Sequence, residues 1–289
     1  CGGAWYREPP RPVPMTHTTG FLDGTPSLRW RLWRPEIGET RAVLALVHGI
    51  HEHSGRYAYV ASRLMLRCIE VHALDLRGHG ESEGGRGEVE TFDEYLGDVD
   101  RFAEHVRQSA SDAPRFLMGH SMGGHIAARW WATRDHDDWD GLVLSSPALA
   151  LPPQNRLLLA IGPHISRFAP RLGVGKLDLA KLSRDERVQA QYANDPLVTT
   201  KPVQARTAWG LYENTLQHDT GHPAFEAPLY LFHGTEDQIT DPAGTRALAD
   251  DAPGDTTLKL WDGLRHETMN EPERDDVIDA LADWVLAHA

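Results

Sequence analysis

Short apolar runs recur along the chain at intervals that suit a layered sheet. AVLALV (42–47) is continuously aliphatic and β-branched, the pattern of a strand covered on both faces. IEVHALDL (69–76), RFLMG (115–119), GLVLSS (141–146), PLYLFHG (228–234) and TTLKLWD (256–262) repeat it. LRWRLW (28–33) alternates instead, which predicts a member of an antiparallel pair. Apolar residues at helical spacing fall between the runs and predict helices over 57–67, 92–107, 122–133, 242–250 and 275–288. Strand and helix thus take turns, and the fold class is α/β: a mostly parallel central sheet with helices on both faces.

The alternation fails twice. Residues 1–26 carry prolines at 9, 10, 12, 14 and 26, which remove amide donors and resist helix, so they read as an extended N-terminal arm. Residues 147–227 separate two sheet-like runs by far more chain than a crossover needs. Helical patterns at 155–168 and 202–216, broken by Pro and Gly, mark that stretch as a helical cap or lid inserted over the carboxyl edge of the sheet. The core is then 27–146 together with 228–289.

Composition narrows the function. The chain is 40% hydrophobic and 25% charged, as in a packed globular protein, and no apolar run is long enough to span a bilayer. A formal charge of -13 opposes binding to nucleic acid or a strongly anionic membrane, and solubility accounts for it without a partner. The two cysteines, Cys1 and Cys68, make neither a disulfide framework nor a metal cluster; Cys68 reads as a core thiol. A chain opening with Cys1 in a Pro-rich lead resembles a mature bacterial lipoprotein. Lipidation of Cys1 and placement at the cell envelope are the expectation, with a cytoplasmic protein and a trimmed N-terminus as alternatives.

The chemistry concentrates in GHSMGG (119–124), which follows one run and opens a helical pattern. A serine on such a tight strand-to-helix turn is held in a strained conformation, and Gly119 and Gly123 relieve the clashes around it. The turn aims the Met122 amide at a substrate, and the helix start favours the anion that forms on an attacked carbonyl. A hydroxyl is a weak nucleophile and needs a base held by an acid. Asp237, after the run at 228–234, and His266, after the last run, lie in the right order at the carboxyl ends of strands. Glu236 falls one residue early, and Asp241 reads as the cap of the helix beginning at Pro242.

The loop after 42–47 supplies a second oxyanion amide: Gly49 permits the turn that presents Ile50. Glu52 and Arg56 follow as a pair that shapes this loop. His48, His51 and His53 are close in sequence but lack a carboxylate at a familiar ligand spacing, so no metal is assigned, and the mechanism calls for no organic cofactor. Asp75 and Arg77, in DLRGHGES (75–82), read as structural ties to loop backbone groups.

Together HGIHEHSGRY (48–57), DLRGHGES, GHSMGG, YANDPLV (192–198), HGTEDQIT (233–240) and the HETMNE ending (266–271) resemble the monoacylglycerol lipase and lysophospholipase group of the α/β-hydrolase superfamily, over about residues 40 to 285. The resemblance implies Ser121, Asp237 and His266 as catalytic triad and Ile50 and Met122 as oxyanion amides. It also implies an acyl-enzyme mechanism on monoacylglycerols or related single-chain lipid esters, with water as second substrate, and peripheral membrane contact through the cap. In the cap, Leu149, Leu151, Leu157, Leu158, Ile161, Ile165 and Phe168 suit either acyl contact or cap packing. A general short-to-medium-chain carboxylesterase would use the same triad, and a non-catalytic lipid-binding scaffold could use the same fold.

Overall fold

In the computed structural model, which describes residues 17–152, 156–215 and 223–289, the sheet opens with His17–Leu22 (β1) and Leu28–Trp33 (β2), an antiparallel pair. This corrects the extended arm expected over residues 1–26, because the arm's last part is the edge strand of the sheet. His17–Leu22 lacks a strong apolar run because an edge strand buries one face at most, so backbone pairing rather than side-chain burial holds it. The first part of the arm, including Cys1, lies outside the described residues.

The chain continues through Ala42–Val47 (β3), Ala58–Met65 (α1), Ile69–Leu74 (β4), Asp93–Ser109 (α2), Arg115–His120 (β5), Met122–Thr133 (α3) and Gly141–Ser145 (β6). The segment 147–227 holds Arg156–Phe168 (α4), Gly173–Gly175 (β7), Glu186–Asn194 (α5), Val203–Gln204 (β8) and Ala205–Thr215 (α6). Leu229–Gly234 (β9), Pro242–Asp251 (α7), Thr256–Trp261 (β10) and Arg274–Ala287 (α8) finish the core. The large sheet has the order β1-β2-β4-β3-β5-β6-β9-β10; β2 is antiparallel to both neighbours and β4 to β10 are parallel.

β3 lies at the centre, and its two-residue period divides the core. Val43, Ala45 and Val47 pack with Phe102 of α2 and Ile126 and Trp130 of α3, whereas Ala42, Leu44 and Leu46 pack with Leu64 of α1 and Ile278 and Leu281 of α8. Both faces are buried, hence the unbroken apolar run. Trp130 and Trp131 are each 1% exposed, and burial of a Trp contributes roughly 4 to 6 kcal/mol at most. Asp241 caps α7 by accepting from the Ala243 amide, with Pro242 in the first turn.

Three local expectations change. Cys68 is not a core thiol: it is half-buried at φ +61° in the turn from α1 to β4, with Sγ 3.9 Å from the Ile37 carbonyl oxygen. Asp75 does accept backbone amides, those of Ser54 at 2.8 Å and Glu81 at 2.9 Å, but Arg77 turns to α2 and pairs with Asp98 and Glu94. The helix expected at 202–216 starts at Ala205 because Val203–Gln204 pairs with β7.

In the cap, Leu149 is buried against the main core and Ile165 is half-buried, while Ile161 and Phe168 face solvent, Phe168 being 77% exposed. Leu151 is half-buried, and the side chains of Leu157 and Leu158 lie outside the described residues. Polar contacts dock the cap on the core: Thr207 Oγ1 donates to Gly87 O at 2.8 Å, and Thr199 N to His51 O at 3.0 Å.

Candidate active site

β3, β5, β9 and β10 end on the same side, and the loops that follow them carry Gly49 and Ile50, Ser121, Asp237, and His266. Ser121 has φ +55° and ψ -121°, a conformation L-residues avoid, between the end of β5 and the start of α3. The surroundings hold it there: its amide donates to Ser145 O at 3.0 Å, and its carbonyl accepts from Ala148 N at 2.9 Å and His125 N at 3.1 Å. The flanking glycines are required by close approach. A Cβ on Gly119 would lie 2.2 Å from Gly123 O, and one on Gly123 would lie 2.3 Å from the carbonyl oxygens of Val47 and His48.

His266 Nδ1 donates to Asp237 Oδ2 at 2.7 Å, which orients the ring and leaves Nε2 as its basic nitrogen. The carboxylate is itself over-determined. Oδ2 also accepts from His233 Nε2 at 2.9 Å and Thr240 Oγ1 at 2.8 Å, and Oδ1 accepts the amides of Ile239 at 2.7 Å and Thr240 at 3.1 Å. Burial alone would raise the Asp237 pKa, yet His266 and His233 outweigh it and hold the carboxyl well below the usual carboxylate range. Burial likewise pulls His266 down, and the Asp237 carboxylate reverses the sign, so His266 ends above 6.5. His120, whose ring centroid lies 4.9 Å from that of His266, is pushed down to about 4 by burial and by its neighbour. It is neutral at pH 7. Glu236 is exposed.

Behind the oxyanion loop, Glu52 Oε1 accepts the Gly49 amide at 2.7 Å and the Tyr57 hydroxyl at 2.8 Å, and Oε2 meets Arg56 Nη1 at 2.6 Å. Burial opposes its charge, but Arg56 wins and brings Glu52 down to about 2. Sequence reading finds this pair and misses Glu267, which takes Arg56 from the other side with bonds of 2.8 and 2.7 Å. It also misses His233 and Thr240; the one available signal is the spacing of His233 and Asp237 in HGTEDQIT. The three histidines have separate partners for their ring nitrogens or none: His48 Nε2 accepts the Leu76 amide, His53 pairs with Asp195 of the cap, and the rings of His48 and His51 both lie tilted against His79 at 5.3 and 6.4 Å.

The cavity over Ser121 is lined by Ile50, Leu177, Leu182 and Ile239 on apolar sides and by Glu52, Tyr192, His266 and Glu267 on polar ones. Its volume is about 20 Å³, room for one water. Leu177, Leu182 and Tyr192 belong to the cap, so the cap closes the site as it stands.

Residues 38–273 match the model of the family described as serine aminopeptidase, S33. The chain is 36% identical over 259 residues to the monoacylglycerol lipase of Mycolicibacterium smegmatis, covering 89% of this chain and 92% of the relative. It is 32% identical over 260 residues to the monoglyceride lipase of Rattus norvegicus, covering 88% and 85%. The crystal structure of Paleococcus ferrophilus monoacylglycerol lipase superposes with a TM-score of 0.78 at 29% identity, covering 96% of this chain and all of that one. With a strained serine and an Asp-bound histidine at the strand ends of this sheet, these likenesses make the chain a member of the monoacylglycerol lipase group of the α/β-hydrolases, a serine ester hydrolase.

Proposed function

We propose that the protein hydrolyses monoacylglycerols and related single-chain lipid esters through an acyl-enzyme on Ser121. His266 takes the Ser121 proton as Oγ attacks the ester carbonyl, Asp237 stabilises the imidazolium, and the Ile50 and Met122 amides receive the oxyanion. The imidazolium then gives its proton to the departing alcohol, and water repeats the cycle on the acyl-enzyme. The observation that carries this reading is the 2.7 Å bond from His266 to a fully bonded Asp237, at the same sheet edge as a serine held at φ +55°.

The cavity's two characters favour an ester with an apolar acid and a polyol alcohol. Tyr192 is 2% exposed, and its hydroxyl has no hydrogen-bond partner, although it lines the cavity beside Glu52 and Glu267. A buried hydroxyl left unpaired costs about 1 to 3 kcal/mol, and an alcohol group of the substrate would relieve that cost. Since about 20 Å³ cannot hold an acyl chain, the cap must move to admit one. Ile161, Phe168, Leu172 and Val174 are exposed on the cap, which supports docking on a lipid surface. A charge of -13 directs that contact to neutral or zwitterionic lipid.

The test is labelling by a fluorophosphonate probe together with hydrolysis of monoacylglycerols and a p-nitrophenyl ester series. Ser121→Ala is expected to lose labelling and about 10⁴-fold or more in kcat. Undiminished labelling of the variant would remove Ser121 as nucleophile, and a sharp preference for acetate with no activity on long monoacylglycerols would favour a short-chain carboxylesterase.

A further inference from the structure

Glu267 follows His266 directly and is 4% exposed. Both its oxygens are occupied by the Arg56 guanidinium, which lies 211 positions away in sequence, at 2.8 and 2.7 Å. The same guanidinium holds Glu52, and Glu52 holds the Gly49 amide next to Ile50. A continuous strut of charge-assisted bonds therefore runs from the loop that carries His266 to the loop that presents the oxyanion amide. The Tyr192 ring covers Arg56 at 4.6 Å.

Two buried carboxylates share one half-buried guanidinium, which leaves a net negative charge offset by the neutral donors of Tyr57, Gly49 and Asn270. Such an arrangement is costly, and an apolar cluster of similar volume would hold two loops together at less cost. No proton of the ester reaction passes through these three groups.

We propose that Glu267 is a positioning residue: through Arg56 and Glu52 it fixes the oxyanion loop against the loop that carries His266. The inference rests on the roles given above to Ser121, His266 and Ile50. Its charge has a second effect. The groups facing His266 are Asp237 and the Thr240 hydroxyl from the loop after β9, His120 from the end of β5, Glu52 from the oxyanion loop and Glu267 beside it, with Arg56 behind Glu52 and Glu267. Of these Asp237, Glu52 and Glu267 are anionic and only Arg56 is cationic, so the balance favours the imidazolium that forms as Ser121 attacks.

Glu267→Gln keeps the volume and removes the charge and one of the two acceptors. The expected result is a fall in kcat/KM of about 10- to 100-fold, carried by kcat. The acid-side midpoint of kcat/KM moves to lower pH, and affinity for a boronic acid analogue of the tetrahedral intermediate drops in parallel. Glu267→Asp keeps the charge on a shorter arm. It should retain the wild-type midpoint while losing kcat, and it serves as the readout if the Gln variant does not fold. Wild-type kcat and midpoint in folded Glu267→Gln, or wild-type kcat in Glu267→Asp, would overturn the proposal. Neither result would touch the triad, whose failure shows instead as persistent labelling of Ser121→Ala.

Discussion

The sheet edge and the cap are built from opposite materials. At the edge, Ser121, Asp237 and His266 are each under 10% exposed, and the Asp237 carboxylate takes five hydrogen bonds from histidines, a hydroxyl and backbone amides. The segment above is uneven: residues 182–192 are tied to the core by Arg184 on Glu271 and Glu273 and by the buried Leu182 and Tyr192, whereas the part around α4 exposes Ile161, Phe168, Leu172 and Val174. Chemistry that needs reacting atoms placed to a fraction of an ångström stands on the part that cannot yield. On the function proposed above, admission of a long apolar substrate would use the part that can.

That contrast can be broken at either end. Short of removing the nucleophile, the largest effect is expected at Asp237: replacement by Asn should lower kcat by about 10⁴-fold while the fold survives, because backbone amides and Thr240 still hold the side chain. Retention of activity within tenfold would show that the carboxylate charge is not needed. A pH profile sharpens the same point. His266 must be neutral to act, and its pKa is raised above 6.5, so kcat/KM on a soluble ester should fall with its acid midpoint above pH 6.5. Asp237→Asn removes the chief raising cause and should bring the midpoint down; an unmoved midpoint would assign the titration to another group. The smallest effect belongs to the cap surface. Phe168→Ser should leave stability within about 0.5 kcal/mol and soluble-ester rates unchanged. On monoacylglycerol in neutral vesicles it should lower activity several-fold, and equal loss on both substrates would place Phe168 in the cleft rather than at the lipid.

Legibility followed the same division. The core runs were readable because β3 to β6 are buried on both faces, and α3 matches its sequence pattern from Met122 to Thr133. The elbow was readable because Gly119 and Gly123 are imposed by contacts near 2.2 Å that no side chain survives. β1 looks like part of an arm in the sequence because its strand conformation comes from pairing with β2, which leaves no apolar periodicity. In the cap, α5 is not legible although Asp185 caps it, since a nine-residue helix with two buried side chains carries little pattern.

The amino-acid sequence by itself determined the order of the core strands and helices from β2 onward, the position of the serine turn, and the loops that had to supply acid and base. Those are local properties: side-chain period, backbone sterics at a turn, and chain order. Only the tertiary structure decided that His233 and Thr240 would share the work of holding Asp237, and that Glu267 would reach Arg56 across 211 positions. It alone showed Tyr192 with its hydroxyl unpaired over the serine. Partners so distant in sequence meet only after the sheet has brought its loops to one edge, and a buried charge or hydroxyl acquires its energy from what surrounds it there.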